Sequence, residues 1–310
     1  MSAASALAPA AGKPYRYVIV DVFTDTAFGG NQLAVFPDAR GLSTVQMQSI
    51  AREFNFAETT FVIAASDGHP RDRIRIFTPR REMPFAGHPT VGTAAVMSFL
   101  KLARSPDENG SVTYDEGIGP VVVRTSPAVG KRVFAELSLQ APLELPHGKP
   151  IRADIAAAIS LPESEILDVW YAAIGIPFCY VHLANQHTVD AAVLDRQHWK
   201  ATLAHTAAPQ LFLFSGLLES GHDLYARMFA PALGIDEDPA TGSACVTLIG
   251  TLASRHLSHE SIVGLTIRQG VAMGRPSSMK VFADLHDGEV RQLRLGGNSV
   301  IVAEGVMTLD

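Results

Sequence analysis

The sequence predicts an α+β protein of two similar domains, each a curved mixed β-sheet wrapped around a central buried helix, with an active-site cleft between them. Three observations predict this class: many short β-type runs, two long segments without charge, and one motif that precedes both segments. The motif reads 75-RIFTPRREMPFAGHPTVGTAAVMSFL-100 in one half and 227-RMFAPALGIDEDPATGSACVTLIGTLAS-254 in the other. Each copy runs Arg, Ile or Met, Phe, Thr or Ala, Pro, then a short loop, small residues and an apolar segment.

The β-type runs are rich in β-branched and aromatic residues and are bounded by Gly, Pro or Asp. In the first half they are Tyr15–Phe23, Gln32–Phe36, Thr59–Ala64, Arg73–Thr78, Gly119–Ser126 and Arg132–Gln140. The second half offers Val169–Ile174, Phe178–Leu183, Gln210–Phe214, Asp223–Ala230, Gly264–Arg268, Lys280–Ala283, Arg291–Leu295 and Val300–Leu309. Helical patterns cover Thr44–Phe54 behind Ser43, Ile151–Ser160 and Leu194–Leu203, together with the two uncharged segments. No charge occurs from Pro89 to Leu100 or from Ser243 to Ser254, and Lys101 and Arg255 follow where a cation complements a helix dipole. A helix that is apolar all round is buried, so each is expected at the centre of a curved sheet. Pro127 and Gly130 place the domain boundary near Ser126–Lys131.

Composition narrows the function classes. The 310 residues are 47% hydrophobic and 18% charged, the balance of a compact soluble protein with room for two cores. The net charge is −6 and the 25 basic residues form no stripe, which argues against nucleic acid as a partner. No window reaches the uninterrupted apolar length of a membrane span. Residues 1–14 lack the basic start and apolar middle of a secretory signal and are expected to form a flexible tail. Two distant cysteines, Cys179 and Cys245, suggest no disulfide framework and fit a reducing cytoplasm.

A helix begins with four backbone N–H groups that it cannot satisfy itself, and the dipole makes that end attractive to anions. Gly87 and Thr90 in one half, and Thr241, Gly242 and Ser243 in the other, would let a small carboxylate approach the backbone. Two such starts facing each other would hold one small acidic molecule; a pair of ordinary core helices with Thr90 and Ser243 as caps is the alternative. Glu58, among Phe54, Phe56, Ala57 and Phe61, suits a raised pKa and proton transfer, although a strand-edge glutamate in solvent satisfies the local sequence equally well. His88 at the first helix start is pushed toward its neutral form by the dipole, with a histidine held by its own backbone neighbours as the rival account. Asp238 precedes the second start, where negative charge is favoured; plain capping is the other reading. Asn31 follows Gly29-Gly30 and serves equally as a cleft residue or a turn residue.

FAGHPTVGTA within 75–100 and EDPATGSA within 227–254 resemble the Gly-His-Pro and Asp-Pro-Ala-Thr-Gly-Ser segments of the PhzF-like phenazine-biosynthesis family. Two further stretches, 21-DVFTDTAFGGNQLAVF-36 and 55-NFAETTFV-62, resemble its opening Gly-Asn segment and its catalytic Glu segment. The likeness runs from about Tyr15 to the C-terminus. It implies a diaminopimelate-epimerase-like fold whose last strand returns to the first domain, giving domains of 15–128 plus 298–310 and of 129–297. It also implies a homodimer, Glu58 as the acid/base, and His88, Asp238 and Ser243 beside it, with Gly87 and Gly242 admitting the ligand. Where the family has Gly-Asn-Pro, this chain has Asn31-Gln32.

Racemases and epimerases of this architecture use two cysteines, one at each helix start; here those places hold Ala86 and Pro239. Cys179 and Cys245 read as small core residues. One carboxylic residue remains that can move a proton between two carbons on one face. The expected function is therefore a cofactor-independent isomerase of a small anionic, dihydro-hydroxyanthranilate-like substrate. A ligand-binding or regulatory protein that kept the cleft, or an epimerase without thiols, are the alternatives. No Gly-x-Ser-x-Gly elbow or phosphate-binding loop is present, and Gly117-Ile118-Gly119 lacks a third glycine. His256 and His259 have the tightest histidine spacing and read as solvated; no metal or organic cofactor is indicated.

Overall fold

The computed structural model describes residues 12–309, apart from 67, 105, 108, 141, 218–222 and 256–260. The first part of the chain forms β1 (Lys13–Val22), β2 (Asn31–Phe36), α1 (Thr44–Phe54), β3 (Glu58–Ile63), β4 (Arg73–Phe77) and β5 (Glu82–Met83). It continues with α2 (Gly87–Phe99), β6 (Ser111–Glu116), β7 (Gly119–Thr125) and β8 (Arg132–Leu139). Next come α3 (Arg152–Ala158), β9 (Ile166–Ile174), β10 (Ile176–Leu183), α4 (Gln186–Ala191), α5 (Arg196–Thr202) and β11 (Gln210–Ser215). The rest is β12 (Leu224–Ala230), β13 (Ile235–Asp238), α6 (Gly242–Arg255), β14 (Ile262–Gln269), β15 (Ser277–His286) and β16 (Glu289–Leu309).

Strands β1, β2, β3, β4, β6, β7, β8 and β16 pair in that order, and β16 pairs with β1 to close a barrel. From β16 the same sheet continues through β15, β14, β12, β11, β10 and β9. Closure is possible because β16 is one 21-residue strand. Its first part pairs with β15 and β8, and its last part, Ser299–Leu309, pairs with β1. The sequence predicts two strands here, Arg291–Leu295 and Val300–Leu309, with Gly296-Gly297 in the interval between them. These glycines do not end the strand. A β-carbon at Gly296 would lie 2.9 Å from the Phe134 ring and one at Gly297 2.6 Å from the Phe23 ring, so they make room for aromatic side chains.

Helix α2 packs on β8, β1, β16, β2, β7 and β3, and it is buried from Gly87 to Met97. Helix α6 packs on β15, β16, β9, β14 and β10. Both contribute to one continuous apolar core. A second cluster lies under α3 and α5, and a third lies under α1 around Phe36, Phe61 and Phe77. The Ser43 capping box is formed, with its hydroxyl accepting from Gln46 N–H and the Gln46 side chain reaching back. The segment Ser126–Lys131 is the turn between β7 and β8, and β8 belongs to the barrel. Lys13 and Pro14, expected in the tail, instead pair with Leu309 and Thr308 because the end of β16 supplies them with a partner strand. Residues 1–11 and the pair His256/His259 lie outside the described residues. Among the described residues, no helix is long and apolar enough to cross a membrane.

The repeated motif has a structural cause. Arg75 on β4 makes a paired salt bridge to Glu82 on β5 at 2.7 and 2.6 Å and lies over the Phe77 ring. Arg227 on β12 does the same to Glu237 on β13 at 2.8 and 2.9 Å and lies over Phe229. In each half the guanidinium fork ties a short return strand to its neighbour. That return strand feeds directly into the buried helix, so the motif fixes where α2 and α6 begin.

Candidate active site

The two helix starts meet. A β-carbon built on Gly87 would lie 3.5 Å from Gly242 Cα, and one built on Gly242 would lie 3.6 Å from Gly87 Cα. Leu295 from β16 wedges beside both, with its Cδ2 at 3.0 Å from the first position and 2.5 Å from the second. A side chain at Gly242 would clash with Leu295, and one at Gly87 would press on it, so glycine suits both positions. Ala86, the residue before α2, offers no side-chain cap to its first turn. Both positive helix ends are therefore directed at the same region.

Glu58 opens β3 beside Leu33 of β2, and His88 is the second residue of α2. Glu58 Oε2 and His88 Nε2 are 3.4 Å apart, with side chains 15% and 7% exposed. Both atoms are shielded from solvent and neither has a hydrogen-bond partner among the described residues. Buried polar atoms are nearly always paired, so two facing atoms without partners set this place apart from the rest of the core. Burial, with the nearby Asp238 charge adding to it, pushes the Glu58 carboxyl up to about 8. Burial pushes His88 down to about 3, against an opposing hydrogen bond with the Gln32 backbone, so its imidazole is neutral at physiological pH. Desolvation, rather than the helix dipole invoked from sequence, is the leading cause.

Asp238 ends β13 and comes from the other half of the chain. Asn31 Nδ2 donates to its Oδ1 at 2.8 Å and to Ala240 O at 3.3 Å, and lies 3.4 Å from His88 Nδ1. Thr241 Oγ1 donates to Asp238 Oδ2 at 2.5 Å. Burial raises the Asp238 pKa, while the Thr241 and Asn31 hydrogen bonds pull it back. Asn31 thus joins His88 to Asp238 across the meeting of the two helices.

Of the residues singled out from sequence, the structure gathers Asn31, Glu58, Gly87, His88, Asp238, Thr241 and Gly242. Ser243, partly buried, follows Gly242 in the first turn of α6. Thr90 is buried one turn into α2, and its hydroxyl lies 2.8 Å from Ala86 O and 2.7 Å from Glu116 Oε1. Gln269 was not anticipated. Its amide donates to Asp238 O at 2.7 Å and to Thr241 Oγ1 at 3.0 Å and accepts from Thr241 N–H at 3.2 Å. It closes β14, one residue beyond the strand Gly264–Arg268 expected from sequence, and carries no motif, so nothing local could have revealed it. Cys179 and Cys245 are buried core thiols whose pKa values burial raises, with Cys245 Sγ 3.6 Å from Met279 Sδ. Among the described residues, no group of three or more His, Cys, Asp or Glu side chains could hold a metal ion.

A family model described as phenazine biosynthesis-like protein (PhzC-PhzF) matches residues 20–305. The chain belongs to this PhzF family. It is 37% identical over 306 residues to an uncharacterised isomerase of Mesorhizobium japonicum, covering 94% of this chain and 97% of that one. It is 33% identical over 300 residues to the trans-2,3-dihydro-3-hydroxyanthranilate isomerase of Pseudomonas chlororaphis, covering 95% and 100%. Among solved structures, a Bacillus anthracis PhzF-family protein matches with a TM-score of 0.81 at 22% identity, over 96% of this chain and 100% of that one. A probable proline racemase from Agrobacterium radiobacter matches with a TM-score of 0.61 at 11% identity, over 96% and 93%. The fold is thus a sheet-dominated α+β architecture that this proline racemase structure shares, and this PhzF-family member is an isomerase.

Proposed function

We propose that the chain moves a proton within a small carboxylate-bearing substrate, resembling a dihydro-hydroxyanthranilate, by acid/base catalysis at Glu58. One observation carries this reading: the facing orphan atoms of Glu58 and His88, with the Glu58 carboxyl raised to about 8. A group with that pKa is present in both protonation states near neutrality and needs no organic cofactor to act as base and then acid. In the forward sense, the carboxylate takes a proton from one substrate carbon and the electron pair left behind shifts the double bond. The resulting carboxylic acid then returns the proton to a second carbon on the same face. Neutral His88, held beside Asn31, would orient a polar substituent. The adjoining starts of α2 and α6, with Gly87, Thr241, Gly242 and Ser243, would receive the substrate carboxylate. Thr90, tied to Ala86, would hold the first of these starts in place. The name of the Pseudomonas chlororaphis relative supports the choice of substrate class.

We also take the molecule to act as two domains, with α2 central to the barrel and α6 central to the sheet that extends from it. On this reading β16 is the element common to both.

The test is incubation of the protein with trans-2,3-dihydro-3-hydroxyanthranilate in D2O, followed by NMR. Conversion with a hydrogen moved between ring carbons supports the proposal. Tight binding with neither conversion nor deuterium uptake would instead mark a ligand-binding protein.

A further inference from the structure

Asn31 and Asp238 lie 207 residues apart, on different halves of the chain, yet approach to 2.8 Å. Their registration depends on the segment 269–276, which joins β14 to β15 and touches no reacting group through its outer end. At the inner end, Gln269 makes the three hydrogen bonds that fix Asp238 and Thr241. Gly270 follows in a left-handed conformation (φ 75°), and a β-carbon there would strike Pro239 O at 2.6 Å and Arg275 O at 2.4 Å. The segment is thus folded tightly against the residue after Asp238.

At the outer end, Arg275 reaches the other half. Its Nη2 bonds Asp21 Oδ1 at 2.6 Å and Gly29 O at 2.6 Å, and its Nε bonds Gly30 O at 2.8 Å. Gly30 N–H donates to Pro276 O at 3.0 Å. Asp21 is 3% exposed, and its second oxygen accepts from Phe28 N–H at 2.6 Å. This bond helps hold Phe28 in a left-handed backbone conformation (φ 71°) that a bulky side chain rarely adopts. Gly30 is also left-handed (φ 61°), and Asn31 is the next residue. A single guanidinium therefore satisfies the last two carbonyls before Asn31 and the carboxylate that shapes the loop leading to it.

We propose that Arg275, through Asp21 and the 28–30 loop, is a positioning residue that sets Asn31 against Asp238 and His88. Segment 269–276 is a strap between the halves: Gln269 secures the Asp238 side and Arg275 secures the Asn31 side. The planar fork makes three bonds in different directions, which a lysine ammonium cannot reproduce with the same geometry. The inference rests on the reading of Asn31, His88 and Asp238 as site residues, but its first test does not require turnover.

The experiment follows the Asn31 side-chain amide by 1H–15N NMR in the free full-length protein, comparing wild type with Arg275→Met, Arg275→Lys and Asp21→Asn. Bonding to Asp238 should slow solvent exchange of the Asn31 amide in wild type. Arg275→Met should speed it and move the resonance toward that of a solvated amide; Arg275→Lys and Asp21→Asn should give smaller changes. With trans-2,3-dihydro-3-hydroxyanthranilate as substrate, Arg275→Met should lower kcat on the order of 10- to 100-fold, with KM changed much less. Added guanidinium should restore part of the loss. An Asn31 amide that is unchanged in Arg275→Met overturns the inference, as does an unchanged kcat. If Arg275→Met does not fold, an unchanged Asn31 amide in both remaining variants overturns it. Glu58→Gln in the same assay separates the two claims: full turnover by that variant refutes the isomerase mechanism, while the NMR comparison still decides the strap.

Discussion

Glu58 Oε2 and His88 Nε2 face each other at 3.4 Å inside the protein, and neither has a hydrogen-bond partner among the described residues. Leaving two polar atoms buried and unpaired is unfavourable by about 1–3 kcal/mol each. On the proposed function, substrate would complete their bonding, and the burial that raises the Glu58 carboxyl would suit it to moving protons.

The same burial should be visible as a stability effect. Glu58 is raised from an ordinary value of 4.5 to about 8. Between those values the unfolded chain releases a proton that the folded chain retains, so stability falls as pH rises through this window. Glu58→Gln abolishes that contribution. Its Tm should exceed that of wild type at about pH 8.5, with a smaller difference near pH 5, as followed by calorimetry. An equal gap at both pH values would show that the Glu58 carboxyl is not raised.

A base must be ionised before it can take a proton. The kcat/KM of wild type should rise about tenfold per pH unit below about 8 and level off above it. A rate that is flat from about pH 6 to about pH 9 would assign the proton transfer to another group.

Gly242 is required by Leu295. A β-carbon at Gly242 would stand 2.5 Å from Leu295 Cδ2, a contact that a fully buried leucine held beside Gly87 cannot easily relieve. Gly242→Ala should destabilise the protein by about 1–3 kcal/mol in urea titrations. Combined with Leu295→Ala, the added methyl gains room, and the double variant should be no less stable than Leu295→Ala alone.

The two copies of the Arg motif are not energetically equal. Arg227 is 10% exposed, bonds Glu237, and also donates to the carbonyls of Val189, Asp190 and Ala192. Arg75 faces Glu82, which is 37% exposed, and among the described residues it makes no carbonyl bonds of this kind. Arg227→Met should be destabilising by about 3–5 kcal/mol because it strands a partly buried carboxylate. Arg75→Met should be destabilising by less, as chemical denaturation of both variants will show.

Much of this was legible in the sequence because the signals were local. The Ser43 cap and the run after it gave α1 to the residue, and the absence of charge gave α2 and α6 within two residues of their starts. The Arg-x-Phe echo was readable, but its acidic partners Glu82 and Glu237 were not, since they lie seven and ten residues away across a turn. Strand β6 was missed: its alternating burial is carried by Val112, Tyr114 and Glu116 alone, with Ser, Thr and Asp between them. The continuity of β16 was hidden because glycine pairs usually break strands, and the rings of Phe23 and Phe134 that explain them are distant in sequence. At the site, residue types and helix ends could be chosen from motifs. The burial of Glu58, the Asn31–Asp238 bond and the roles of Gln269 and Arg275 arise only when the two halves are packed together.

The most direct test of the central claim is the turnover of Glu58→Gln, with binding of the same substrate followed by calorimetry. Loss of kcat by about 10²- to 10⁴-fold, with Kd within about tenfold of wild type, is the predicted result. A Glu58→Gln protein that isomerises substrate at the wild-type rate would contradict the assignment of Glu58 as the proton carrier.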